Sequence, residues 1–298
     1  MTEREICGVL PVNKPAGMTS HDVVFKIRKL YGTKKVGHTG TLDPDATGLL
    51  IVLIGRAAKA SEYVVAGKKV YRAGLRLGIT TDTEDTTGKT LTESYDIPEK
   101  SKVLEAIASF EGESLQVPPM YSALKVGGQK LCDLARKGIT VEREPRPITV
   151  YSISADGDGK DYQMEVACSA GTYIRTLCAD IGAKLGCGGA MSSLFRTETG
   201  GFDISASHTL EEIEALAQEE RDALLIPTES LFEDIPFVKL PAFYERLAKN
   251  GAEIYQKKIG SGFPIGARLR VHGGDGFFGI GEVREYEDGS AIKIVKFL

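Results

Sequence analysis

The sequence predicts an α+β protein built in two parts. Three observations carry this prediction. Residues 70–79 and 163–169 alternate apolar and polar side chains, as strands do when one face meets a core and the other meets solvent. Amphipathic runs at helical spacing lie before, between and after them. From residue 236 onward the chain turns often and carries three more short strand patterns.

Taken in order, Gly8–Val12 is a short apolar run and residues 13–17 form a turn by composition. Ser20 offers an N-cap to a helix carrying Val23, Val24, Ile27, Leu30 and Tyr31, which Gly32 closes. A polar, glycine-rich loop then runs from Gly37 to Gly48 into the apolar segment Leu49–Ile54, too short to assign by periodicity. In the strand at 70–79, Tyr71, Ala73, Leu75, Leu77 and Ile79 share the apolar face. Residues 80–88 are predicted to be a mobile acidic loop, and 99–110 a helix turning Val103, Leu104, Ile107 and Phe110 inward. Pro118 and Pro119 keep 116–125 extended. A short helix at 130–137 ends at Gly138, and strands are predicted at 148–153 and 163–169. The run after Gly171 opens a helix bearing Ile174, Leu177, Cys178, Ile181 and Leu185, and a turn and strand follow within 186–201. Thr209 and Glu212 form a capping box for one helix with Leu210, Ile213 and Leu216 inward. Pro236 and Pro241 mark a boundary that divides a domain at 1–235 from a module at 236–298. The module is predicted to hold a helix at 241–249 and strands at 267–271, 277–285 and 291–297. With only about 60 residues its core is modest, so it should lean on the main domain.

Composition narrows the function classes. The chain has 298 residues, 42% hydrophobic, which is that of a globular protein with a real core. No apolar run approaches the roughly 20 residues of a membrane span. Residues 1–7 are charged and lack the apolar region of a signal peptide, so a cytoplasmic location is expected. Five cysteines form no Cys-x-x-Cys pair, which fits reduced, mostly buried thiols and leaves a zinc site only to distant cysteines. A net charge of −4 argues mildly against nucleic acid, but the charges are segregated. Cations recur over 26–35 and 125–146, while the acidic surplus lies at 211–222, so an RNA partner stays open.

The loop at 37–48 is the main candidate for chemistry. Asp43 precedes a proline, which places it in a turn and not inside a helix. Its residues alone allow two readings: a catalytic carboxylate on a rigid scaffold, or a turn in which Asp43 and Asp45 bond nearby N–H groups. The glycine spacing does not match a phosphate-binding loop. Arg175 stands near a helix N-terminus, where the dipole favours anions. A partner carboxylate or phosphate would explain it; otherwise it is a surface arginine.

Four blocks, taken together, resemble the TruB family of tRNA pseudouridine-55 synthases. They are Asn13-Lys14-Pro15 with Gly17-Met18-Thr19-Ser20, Val36 to Leu50, Lys69-Val70-Tyr71-Arg72 with 78–85, and Cys168 to Leu177. Pro118 to Lys125 and Leu194 to Gly200 also fit, so the resemblance runs from about residue 8 to the C-terminus. It implies a mixed, mainly antiparallel pseudouridine-synthase sheet with flanking helices and a C-terminal PUA-like module. It implies isomerisation of uridine 55 in the tRNA T-loop, a C–N glycosidic bond giving way to a C–C bond, without metal or organic cofactor. Asp43 becomes the catalytic nucleophile, Arg175 its partner holding it ionised, and Tyr71 the residue that stacks on uracil and handles the proton at C5. Leu194 forms the opposite apolar wall. The target base is flipped out, and His38 packs into the space it leaves. Lys14, Thr39, Gly40, Lys125, Arg143 and Arg146 fall on the RNA, and the C-terminal module on the acceptor arm. A monomer working on tRNA is expected. Cys132 departs from the family, which commonly has tyrosine there. A guide-dependent synthase is disfavoured by the short end module and the lack of basic tails. A non-catalytic tRNA-folding protein is disfavoured by the presence of Asp43, Tyr71 and Arg175.

Overall fold

The computed structural model describes residues 6–65 and 67–298; the charged stretch expected at 1–5 lies outside the described residues. A ten-stranded sheet organises the chain. Its strands are β1 (Gly8–Lys14), β2 (Val36–Thr39), β3 (Thr47–Ile54), β4 (Lys69–Leu77), β5 (Gly112–Gln116), β6 (Arg146–Asp158), β7 (Asp161–Cys168), β8 (Gly189–Thr199), β9 (Phe202–Asp203) and β10 (His208–Thr209). The order is β10-β1-β3-β8-β4-β7-β6-β5, with β2 on β3 and β9 on β8. Only β1–β10 and β3–β8 are parallel, so the sheet is mixed and mainly antiparallel, as predicted.

The segment that periodicity left unassigned is β3, and its burial explains why. Leu50, Val52 and Ile54 pack with helix α1 (Ser20–Tyr31), whereas Leu49, Ile51 and Leu53 pack in a second cluster with Val9, Ala57 and Val64. Both faces are covered, so the strand is apolar throughout and has no period to read. Helices α2 (Lys100–Ala108) and α4 (Ile174–Leu185) lie over the other half of the sheet, where Leu75, Tyr162, Met164, Ile174 and Leu177 share a core. The short helix α3 (Leu131–Arg136) lies between them in sequence.

Two local expectations need correction. The N-cap of α1 is Thr19, in a capping box with Asp22, while Ser20 is already helical and 2% exposed. The single helix expected after Thr209 is two, α5 (Leu210–Ala215) and α6 (Gln218–Ala223), because Leu216 turns extended at ψ 150. The loop at 80–88 is closed by its own hydrogen bonds: Asp85 Oδ1 accepts from the Thr83 and Thr87 hydroxyls and the Thr87 N–H, and Asp82 Oδ1 accepts from the Lys89 N–H.

The C-terminal module is a five-stranded sheet, in order β11-β13-β14-β15-β12. Its strands are β11 (Phe237–Lys239), β12 (Ile254–Tyr255), β13 (Arg268–Gly273), β14 (Gly276–Tyr286) and β15 (Gly289–Phe297). Helix α7 (Ala242–Lys249) completes it. The boundary segment thus begins with an edge strand, β11, that pairs in parallel with β13. The module has its own core, including Leu269, Val271, Val283 and Ile292. It leans on the main domain through Phe232, Tyr63, Ile280 and Leu298, and through Glu229, whose Oε1 accepts from Arg270 Nη1 at 2.9 Å and lies 2.8 Å from His272 Nε2. All five cysteines are free thiols, three of them buried. Among the described residues no helix is long and apolar enough to cross a membrane.

Candidate active site

The polar loop between β2 and β3 is held at nearly every residue. The Arg196 Nη2 donates to the Gly40 carbonyl at 3.0 Å. Ser20 Oγ both accepts from the Leu42 N–H (2.9 Å) and donates to the Leu42 carbonyl (3.2 Å). The Pro44 carbonyl accepts from the Gly17 N–H at 3.0 Å and from Lys14 Nζ at 2.8 Å. Leu42 and Ala46 are plugged into the core cluster that contains Tyr71. At the loop's exit Gly48 passes so close to β8 that a Cβ would lie 2.4 Å from the Arg196 carbonyl oxygen, at a φ of +98°. Only glycine fits there.

This clamp leaves Asp43 partly open to solvent. Arg175 Nε meets Asp43 Oδ2 at 2.9 Å and Nη2 lies 3.3 Å from Oδ1, a two-point pair. The guanidinium side is 7% exposed and the carboxylate side 42%, so the cation is buried and the carboxylate only half-buried. Arg175 also donates to the carbonyls of Thr83 (3.1 Å) and Tyr121 (2.8 Å), which ties the 80–88 loop and the proline segment to the pair. Gln116, 3% exposed, fixes the start of α4 by accepting from the Tyr173 N–H and donating to its carbonyl. Burial pushes the Asp43 carboxyl above its ordinary value; Arg175 pulls it down, and Asp85 adds to the rise. The arginine therefore pulls the carboxyl down as expected, and in doing so offsets a desolvation cost that is larger still.

Tyr71 and Leu194 flank the same spot. Tyr71 is 7% exposed, with a phenol raised by burial and pulled back in part by the charge of Arg196; Leu194 packs on the edge of its cluster. His38 stands on β2 opposite Val52, with Nδ1 buried and unbonded. Burial, then Arg196 and His21, lower its pKa, so the ring is neutral near pH 7.

The remaining site residues divide. Lys125, on a two-residue hairpin, and Arg146, at the start of β6, are exposed. Gly40 is half-buried above Arg196. Arg143 is half-buried and donates to the Pro118 carbonyl at 3.0 Å. Lys14 is 0% exposed, and its ammonium donates to the carbonyls of Pro15, Met18 and Pro44. It holds the loop from beneath and does not reach RNA, which corrects the expected contact. Thr39 is 1% exposed with its hydroxyl inward, so its side chain does not reach the surface either. Sequence reasoning missed Ser20, Gln116 and Arg196 as supports of the site. It also missed Arg56 and Lys59, which line an open hollow with Lys34 and Lys35.

The same fold occurs in a solved structure titled "Structure of H/ACA RNP bound to a substrate RNA containing 2'-deoxyuridine", at a TM-score of 0.69 and 25% identity, covering 97% of this chain and 84% of the other. A structure of the archaeal box H/ACA sRNP Nop10-Cbf5 complex matches at 0.70 and 24% identity, over 98% and 86%. Sheet, end module and clamped carboxylate together define a pseudouridine synthase fold. The model described as "TruB family pseudouridylate synthase (N terminal domain)" matches residues 28–174, and "tRNA pseudouridylate synthase B C-terminal domain" matches 175–233. A tRNA pseudouridine synthase B of Alkaliphilus oremlandii (strain OhILAs) is 44% identical over 295 residues, 98% of each chain. One of Staphylococcus saprophyticus is 49% identical over 228 residues, 73% of this chain and 74% of that one. This chain belongs to the TruB family of pseudouridylate synthases. The junction of the two family regions, 174/175, falls inside α4, so both regions build one sheet and one site.

Proposed function

We propose that this chain isomerises uridine 55 in the T-loop of tRNA to pseudouridine, with Asp43 as nucleophile toward a flipped-out nucleotide. The observation that carries the reading is the asymmetric ion pair: a carboxylate partly open to solvent, fixed at both oxygens by a buried arginine. The reaction breaks C1′–N1 and forms C1′–C5; C5 loses its hydrogen and N1 gains one, so the formula is unchanged. An ionised, oriented carboxylate suits attack during glycosidic cleavage. The Tyr71 ring and Leu194 bracket the uracil, with the phenol at C5. The neutral His38 ring fills the gap left in the T-loop. Lys125, Arg143 and Arg146, with the hollow of Lys34, Lys35, Arg56 and Lys59, hold phosphates by charge. The domain at 1–235 carries the chemistry and the module at 236–298 holds the acceptor arm, in a monomer working in the cytoplasm.

Tritium release from 5-labelled uridine in an unmodified T-arm stem–loop tests this. Wild-type protein is expected to release label, and Asp43→Asn to lose on the order of 10⁴-fold or more in turnover while still binding the RNA. No release by the wild type would sink the reading, and undiminished release by Asp43→Asn would sink the nucleophile.

A further inference from the structure

Lys69 opens β4 and is 7% exposed, yet among the described residues its ammonium makes no hydrogen bond and no ion pair. Burying an unpaired ammonium is costly, and burial, then Arg196, lowers its pKa. Arg196 on β8, 1% exposed, adds a second cation. Its Nε donates to the Leu49 carbonyl at 2.8 Å and its Nη2 to the Gly40 carbonyl at 3.0 Å, and among the described residues no carboxylate pairs with it. The two cations converge on Gly40. A Cβ built there would lie 3.3 Å from Arg196 Nη1 and 3.6 Å from Lys69 Nζ. No side chain takes that space, because Gly40 stands at a φ of +74°, which favours glycine. Lys69 and Tyr71 are two residues apart on β4, so both rise from the face of the sheet that meets the loop carrying Asp43. Two cations packed together without an anion do nothing for stability that apolar side chains would not do better.

We propose that Lys69 Nζ and Arg196 Nη1 form a binding site for one backbone phosphate of the RNA, opened by Gly40 beside the flipped uridine. This rests on the RNA-modifying reading above. A phosphodiester carries one negative charge and two free oxygens, so each cation has an oxygen to meet. A nucleotide drawn out of its stack over Tyr71 brings its flanking phosphates to the face where Lys69 stands. A protein carboxylate in the same space would satisfy the cations permanently and repel that phosphate. Left unpaired, they gain their counterion only when RNA enters the site. The hollow of Lys34, Lys35, Arg56 and Lys59 differs, because its cations are exposed and attract any strand by charge. The buried pair meets only a linkage carried into the site by the target nucleotide.

Binding of T-arm stem–loops that carry a single neutral methylphosphonate, placed in turn at each linkage around the target uridine, tests this. Lys69→Met is expected to weaken binding of the unmodified stem–loop roughly 10-fold, the effect of one charge-assisted hydrogen bond. Its affinity should also fall less steeply with salt, by about one counterion. At one linkage flanking the uridine, the methylphosphonate should weaken wild-type binding by a similar factor and leave Lys69→Met within about twofold of its own affinity for the unmodified RNA. Because the substitution removes an unpaired buried charge, Lys69→Met should unfold at a higher urea concentration than wild type, which separates lost binding from a weakened fold. If Lys69→Met does not fold, Lys69→Gln enters the same comparison with the same binding expectation. Equal methylphosphonate losses in both proteins at every linkage, with an unchanged salt slope, would overturn the inference and leave Lys69 a structural residue. A wild-type protein that does not bind the unmodified stem–loop would instead overturn the RNA reading on which the inference rests.

Discussion

The catalytic sheet and the C-terminal module solve the same packing problem with different materials. In the module, the one buried polar side chain among the described residues is Gln256. Its amide is fully used, bonding the Phe263 N–H and carbonyl and the Ser290 and Ser261 hydroxyls. The rest of that core is aliphatic and aromatic. The catalytic sheet buries Lys14, Lys69, Arg175 and Arg196 as well as Ser20, Gln116 and Thr176, and most of these end on the loop at 40–46 or on α4. A polar core adds little net stability and fails badly when one partner is lost. The gain is a single geometry for the loop. The two regions therefore differ in what their interiors are for: one holds a module together, the other holds a carboxylate in place.

Matched substitutions at the two buried polar residues should separate these roles most widely. Lys14→Met strands the carbonyls of Pro15 and Met18 and removes the second donor to the Pro44 carbonyl, so urea unfolding should show a loss of about 2–4 kcal/mol, with turnover on the stem–loop collapsing. Gln256→Met strands the Phe263 N–H and carbonyl, a loss of about 1–3 kcal/mol, and turnover on the stem–loop should stay near wild type. Comparable turnover in the two variants would erase the distinction.

A pH profile sharpens the catalytic side. The proposed attack needs ionised Asp43, whose pKa is raised by burial against the pull of Arg175. The acid limb of kcat/KM, which reports the free enzyme, should therefore lie above the ordinary aspartate range. Arg175→Met removes the pull and should carry the limb to higher pH, beyond its loss in kcat. A limb that stays in place or moves to lower pH would contradict the ion pair as the balancing term.

Much of this architecture was legible in the sequence, and the misses share a cause. Alternation found β4 and β7, and the joint pattern of blocks put Asp43, Tyr71 and Arg175 on one site before any coordinates. The structure then brings those three together with Leu194. What stayed hidden are residues whose partners are backbone atoms. The resemblance places Lys14 on RNA, and nothing in the chain shows the three carbonyls that surround it. Ser20 stands where a helix cap is expected, yet its hydroxyl serves Leu42, 22 residues away. Arg196 carried no signal at all, because its register beside Gly48 and Tyr71 exists only once β8 is placed.

The smallest effect is expected where the two regions meet. Glu229 receives Arg270 and lies against His272, and all three side chains are partly solvated, at 29%, 18% and 21% exposure. Such a pair contributes little, so Glu229→Gln should cost less than about 1 kcal/mol. Apolar contacts of Phe232 and Tyr63 with the module persist in that variant, so the module should remain docked but looser. If the module holds a distant arm of the RNA, looser docking lowers the effective concentration of the second contact and leaves the first unaffected. KM for full-length tRNA should then rise about two- to threefold, while kcat and KM on the stem–loop stay at wild-type values. An equal rise on both substrates would mean that the junction feeds the catalytic loop directly, and the division of labour between the two interiors would fail at its seam.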